Sequence, residues 1–201
     1  MDMKIIGLTG TLGSGKTAVA SMLRDKGACV VDMDAAGKWA VEENEEVQRR
    51  LRKAFGDAIY DEKNTLKRRT LGEIVFANAD ALKTLNVIVH PVMLQRARQL
   101  ITNAQQDSSC RYVVVDAALL LELEFHNECD VVVTVSAPLE ECLERAQASK
   151  GLSREQALQR MQSQLPQDAK VRRADYVIKK DSTLQSLGTR VDELHRWLLT
   201  L

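Results

Sequence analysis

The sequence predicts an α/β fold, a doubly wound parallel sheet of five strands, on three observations. Short apolar runs without polar alternation lie at Ile5 to Leu8, Cys29 to Val31, Tyr112 to Val115 and Val131 to Val135, with a weaker one at Tyr176 to Ile178. Such runs suit parallel strands covered on both faces. Helix-compatible segments lie between most of them, and a glycine-rich turn joins the first run to a helix, at the strand end where open α/β sheets hold ligands.

Taken in order, the first strand leads into Gly10-Thr11-Leu12-Gly13-Ser14-Gly15-Lys16-Thr17, two glycines spaced by four residues and followed by Lys and a hydroxyl residue. This is the phosphate-loop pattern, and it opens a helix from Ala18 to Lys26. A loop that wraps a polyphosphate turns its backbone N–H groups inward, with dihedrals and close approach that glycine allows cheaply, hence Gly10, Gly13 and Gly15. The helix adds its positive N-terminal end. Lys16 supplies an ammonium for the β- and γ-phosphates, and the Thr17 hydroxyl is placed to ligate Mg²⁺. The expected triphosphate contacts are therefore Thr11, Leu12, Gly13, Ser14, Gly15, Lys16, Thr17 and Ala18. The sheet is expected to be of the phosphate-loop NTPase type.

The second strand ends in Asp32 and Asp34, which share a parity along an extended chain. A carboxylate there can orient a hydroxyl that attacks a γ-phosphate; without further context a helix N-cap or a surface turn is the favoured account of the pair. Residues 36–109 are too long for an ordinary crossover and carry Leu71, Ile74, Val75, Leu82 and Leu85 at helical spacing, which predicts an inserted helical lobe. Asp116 closes the third strand, where phosphate-loop proteins often carry an aspartate that supports Mg²⁺ through water. After the fourth strand a helix starts at Pro138 and runs through Leu143 and Arg145, and Gly151 interrupts it. Ser153 with Gln156 three residues on marks the next helix start. The stretch Arg154 to Arg173 is polar and charged, as expected of a mobile helical lid, which is placed at residues 146–171. The expected organisation is a single domain over residues 1–201, with a core of 1–35, 110–145 and 172–201.

Lys plus Arg (28) equals Asp plus Glu (28), which leaves no global field to recruit nucleic acid or an anionic membrane. Cys29, Cys110, Cys129 and Cys142 form no CxxC pair, so neither zinc nor a redox motif is indicated and four reduced thiols are expected. A strand begins almost at the first residue and no apolar run approaches spanning length. A soluble cytoplasmic protein, monomer favoured, is the expectation.

Several fragments in order make the chain similar to the dephospho-coenzyme A kinase family. These are the phosphate loop at Gly10, Val30-Val31-Asp32-Met33-Asp34, Thr65-Leu66-Lys67-Arg68-Arg69, Phe76-Ala77-Asn78, Asn86 to His90-Pro91, Leu119-Leu120-Leu121-Glu122 and Ala174-Asp175-Tyr176-Val177-Ile178. The resemblance covers nearly the whole chain. It implies ATP-dependent phosphorylation of the ribose 3′-hydroxyl of dephospho-CoA, with ATP as co-substrate and Mg²⁺ as cofactor. By position it puts the catalytic aspartate on Asp34, beside Lys16, and the lid arginine on Arg145, contacting ATP. Asp34, Leu66, Arg68, His90, Leu120 and Glu122 fall where such kinases bind the acceptor; taken alone, His90 before Pro91 reads as a helix-end histidine. The chain departs from the family at Ala118, Ser149 and Lys180, where proline, a second lid arginine and an asparagine are usual. Another phosphate-loop kinase, such as a nucleoside monophosphate kinase, is the alternative; a GTPase would carry Asn-Lys-x-Asp, which is absent.

Overall fold

The computed structural model of the chain describes residues 3–180 and 184–201. Two compact units make it up, Met1–Val31 with Ile101–Leu201, and Asp32–Leu100.

The first unit holds the sheet. Strands β1 (Ile5–Gly10), β2 (Ala28–Asp32), β3 (Tyr112–Asp116), β4 (Val131–Ser136) and β5 (Tyr176–Lys179) lie in the order β2-β3-β1-β4-β5. β1 pairs in parallel with β3 and β4, and β4 with β5. All five expected strands are present, each one or two residues longer than its apolar run. Two aspartates organise strand starts: Asp130 accepts the Ile5 N–H and Asp175 accepts the Val132 N–H, each at 2.7 Å. The register sets Leu8 level with Asp116 and Gly10 level with Val135, so the carboxyl ends of three strands converge around the phosphate loop.

Helices α1 (Lys16–Arg24) and α9 (Leu184–Leu198), the first and the last of the nine α-helices among the described residues, numbered in chain order, cover one face of the sheet. Leu187, Val191, Leu194 and Leu198 recur at spacings of three and four along α9 and are buried against Ile6, Leu8, Val19, Leu23 and Ile178. Each fully buried aliphatic side chain of this kind contributes about 1.5–3 kcal/mol.

The cysteine expectation is corrected here. Cys29 on β2 and Cys110, two residues before β3, form a disulfide with Cα atoms 5.5 Å apart, because β2 and β3 are neighbours in the sheet. Only Cys129 and Cys142 are free. Burial pushes the Cys129 thiol up to about 12 and also raises that of Cys142, so both are poor nucleophiles.

The second unit is helical: α2 (Met33–Glu43), α3 (Glu45–Phe55), α4 (Arg68–Ala77) and the greater part of α5 (Ala79–Gln105). Its core gathers Ala40, Val47, Leu51, Ile59, Leu71, Val75 and Ile88. Capping side chains define the helix starts. Asp32 accepts the Asp34 and Ala35 N–H groups at 2.8 and 3.1 Å, Asn44 accepts the Val47 N–H, and Asn78 accepts those of Asp80 and Ala81. The unit covers 32–100 where an insertion of 36–109 was expected, because α5 continues unbroken past its end. The same continuity corrects the helix-end reading of His90: His90 and Pro91 lie inside the 27-residue α5. Pro91 leaves the Val87 carbonyl without its helical donor, and Val87 is 60% exposed, so that turn is open to solvent.

The last three helices of the sheet unit before β5 are α6 (Leu139–Lys150), α7 (Arg154–Gln162) and α8 (Gln167–Arg172). Ser153 caps α7 in a full capping box with Gln156, as its sequence indicates.

Candidate functional site

β1 ends at Gly10, and the loop that follows is shaped by glycines that could not be replaced. Gly13 and Gly15 hold φ of 78° and 98°, in the left-handed region. A Cβ on Gly13 would stand 2.0 Å from the Cys142 carbonyl oxygen at the start of α6. The loop is thus pressed against a neighbouring helix, and Gly15 is the N-cap of α1 with no side chain to cap it. That leaves the Lys16 and Thr17 N–H groups at the start of α1 to a ligand, as an anion site requires. Lys16 forms an ion pair with Asp116, the buried last residue of β3. Thr17 is exposed in the first turn of α1, and Ala18 donates to Gly15 O at 3.0 Å. A threonine hydroxyl and a carboxylate are hard oxygen donors and fit Mg²⁺, which takes few protein ligands and fills its octahedron with phosphate oxygens and water. Among the described residues, the cluster of three side chains spaced to share a metal is Cys29, Asp107 and Cys110, whose cysteines are already joined.

Two further cations border the loop. Arg145, on α6, donates to Gly13 O at 3.4 Å and pairs with Glu141 one turn back. Lys180, just past β5, donates its backbone N–H to Ser136 O at 2.7 Å and lays its side chain over Gly15. Burial and then the Arg145 charge pull the Lys180 ammonium below its ordinary pKa.

A third set of contacts ties the loop to the segment after α7. Gln164 accepts the Leu12 N–H at 3.1 Å, while the Gln167 carbonyl accepts the Ala137 N–H at 3.2 Å and the Thr11 hydroxyl at 3.4 Å. Behind them Lys170 on α8 is fully buried. Its ammonium donates to Ala118 O at 2.6 Å and to the Glu122 oxygens at 2.8 and 3.1 Å, and Glu122 also accepts the Leu165 N–H at 2.6 Å. Burial lowers the Lys170 pKa and Glu122 opposes the shift. Glu122 is therefore committed to this ion pair. Leu120 is fully buried, and a Cβ on Gly7 would meet it at 2.6 Å. Sequence reasoning missed Gln164, Gln167 and Lys170, because a polar, charged stretch reads as solvated and nothing in it marks a lysine for burial.

The other expected acceptor residues meet within the helical unit. Asp34, Leu66, Arg68 and His90 line one cavity of about 340 Å³ together with Lys38, Asn86 and an apolar wall that includes Leu71, Val75, Phe76 and Met93. Asp34 sits in the first turn of α2, exposed, with its own N–H held by Asp32. The capping role that sequence left open for this pair thus belongs to Asp32, and because α2 starts at Met33 the two carboxylates do not share strand parity. Gly37 keeps the cavity floor close, since a Cβ there would meet Met93 Sδ at 3.1 Å. Arg68 pairs with Glu42 at 2.6 Å, and burial lowers the His90 pKa, favouring its neutral form.

A protein-family model described as dephospho-CoA kinase matches residues 4–186. A dephospho-CoA kinase of Salinibacter ruber is 37% identical over 198 residues, 98% of each chain. One of Thermobifida fusca is 36% identical over 189 residues, 94% of this chain and 93% of its own. A crystal structure of a Thermus thermophilus protein is similar with a TM-score of 0.81 at 33% identity, covering 98% of this chain and 99% of that one.

Proposed function

The chain belongs to the dephospho-CoA kinase family and transfers phosphate from ATP to dephospho-CoA to give coenzyme A, and from that premise we propose how its residues divide the work. The family match favours this reaction over that of a nucleoside monophosphate kinase. The observation that carries the division is that each unit holds a site of its own chemistry, and the two chemistries suit the two substrates. One is a glycine loop with Lys16, Thr17 and Arg145 for a triphosphate; the other is a largely apolar cavity with Asp34 at its rim for the acceptor.

In this reading the N–H groups of Gly13, Gly15, Lys16 and Thr17 bind the β- and γ-phosphates and Lys16 exchanges Asp116 for phosphate oxygens as charge develops on them. Mg²⁺, held by Thr17 and supported by Asp116, would neutralise the β- and γ-oxygens when bound. Asp34 accepts the proton of the ribose 3′-hydroxyl and aims its oxygen at the γ-phosphorus. The P–O bond to the leaving ADP breaks as the new P–O bond forms. Arg68 and Lys38 supply cations for the acceptor's diphosphate, Leu66 and the apolar wall suit its uncharged arm, and His90, kept neutral by burial, donates or accepts a hydrogen bond without adding charge. Arg145 forks to phosphate oxygens or stacks on the adenine, as residues 146–171 close and exclude water. Glu122 acts through Lys170, holding α8, rather than on the acceptor. We further infer a cytoplasmic monomer without nucleic-acid or membrane partners, a reading supported by the balanced charge and by the absence, among the described residues, of any helix long and apolar enough to cross a membrane.

The test is ADP release on mixing protein, Mg²⁺, ATP and dephospho-CoA, with the product identified as coenzyme A, in the wild type and in Asp34→Asn. Full turnover by the variant would remove Asp34 from the chemistry.

A further inference from the structure

The loop carries a cation that the reaction described above does not use. Lys180 follows β5, and its backbone bond to Ser136 fixes where the side chain leaves the sheet. From there the side chain runs to the phosphate loop. A Cβ on Gly15 would lie 2.8 Å from Lys180 Cδ and 2.9 Å from its Nζ. The φ of 98° requires glycine at position 15, and the lysine side chain occupies the space a Cβ would take.

The charge balance around that ammonium is lopsided. Arg145 is close enough to depress its pKa, the carboxylate that both feel is Glu141, and Glu141 is already committed to Arg145. Among the described residues no carboxylate lies within ion-pair distance of Lys180 Nζ. A partly desolvated ammonium with no ion-pair partner among the described residues is costly, and here it adjoins a nest of backbone N–H groups that calls for the same anion.

We propose that Lys180 is a triphosphate-binding residue, donating to phosphate oxygens seated in the loop at Gly15. The assignment rests on the reading of the loop as the ATP site. Phosphate rather than base is the partner because the ammonium lies against a residue of the nest itself, and because Lys180 is a donor-only point charge suited to anionic oxygen. Its share is ground-state affinity: the contact exists before transfer and acts on KM more than on kcat.

The experiment compares wild type, Lys180→Gln and Lys180→Arg by calorimetric titration with Mg²⁺-tripolyphosphate, with ATP and with GTP, alongside steady-state kinetics. Losing one charge-assisted contact should weaken tripolyphosphate and ATP by the same factor, about ten-fold, and raise KM for ATP in step, with kcat within about two-fold. Lys180→Arg should restore most of that loss. Unchanged tripolyphosphate binding in Lys180→Gln overturns the proposal, and a change confined to the ATP-to-GTP ratio reassigns Lys180 to the base. Should wild type itself bind no tripolyphosphate in competition with ATP, the reading of the loop fails first, and the two failures are told apart by that control. Both variants keep the backbone bond to Ser136, and a melting curve matching wild type confirms that loss of affinity is not loss of fold.

Discussion

Replacing Glu122 by alanine removes both oxygens facing the Lys170 ammonium, at 2.8 and 3.1 Å, and the acceptor of the Leu165 N–H at 2.6 Å. Lys170 is fully buried and would keep only the Ala118 carbonyl. Breaking a buried pair from one side costs about 3–5 kcal/mol, because the surviving charge stays desolvated. A domain of this size loses about 2–4 °C of Tm per kcal/mol, so the melting point of Glu122→Ala should fall by about 10 °C. The pH dependence carries the sign. Without its carboxylate, native Lys170 has a pKa further below the unfolded value of about 10.4, so between the two values the unfolded chain binds more protons. Stability of the variant should therefore rise with pH across that window, by up to about 1.4 kcal/mol per unit, and it should begin to rise at a lower pH than that of wild type. Lys170→Met added to Glu122→Ala should recover most of the loss, since no buried charge then remains. Urea titrations at several pH values measure all three. A loss below about 1 kcal/mol with no pH dependence would refute the reasoning and class the contact with exposed ion pairs.

Lys16→Met should lower kcat by at least about a hundred-fold, since it removes a charge aimed at the migrating phosphoryl group; rapid-quench kinetics check this. Asp34→Asn should lower kcat by about 10²–10⁴ while calorimetric ATP affinity stays within about two-fold, and equal losses in both would argue against a role confined to the hydroxyl. Thiol titration of the denatured, unreduced chain should count Cys129 and Cys142 alone, and all four cysteines after reduction. Cys29→Ser, which opens a cross-link spanning 81 residues, should cost up to about 4.5 kcal/mol by loop entropy, measured by urea unfolding without reductant.

The parts of this molecule written in local pattern were legible in its sequence. Unalternating apolar runs mark all five strands because parallel strands are covered on both faces, and Ser153 with Gln156 marks α7 because a capping box is complete within four residues. The loop from Gly10 to Thr17 is legible for the same reason. Asp34 was only half legible: pattern showed a carboxylate at a strand tip, but which aspartate caps the helix depends on where α2 begins, a one-residue matter. What depends on contacts between distant residues was hidden. Cys29 and Cys110 meet only because β2 and β3 are adjacent. Lys170 is buried only because Glu122 and Ala118 supply its partners from 48 and 52 residues away. Pro91, a helix stop by local rule, is absorbed inside α5.

Helix α7 is moored at both ends. Arg154 at its front holds Glu140 of α6 through two bonds of 2.8 and 2.9 Å, and Gln164 just behind its last turn grips the Leu12 amide. Between these two contacts Ala157 is fully buried against Leu143 and Ala146 of α6. The two pins differ in kind, the front one an ion pair on exposed side chains and the rear one a neutral amide contact in a half-buried position. Added salt weakens the first and spares the second, so in brine Arg154 and Glu140 part while the buried seam and the amide grip on the loop persist.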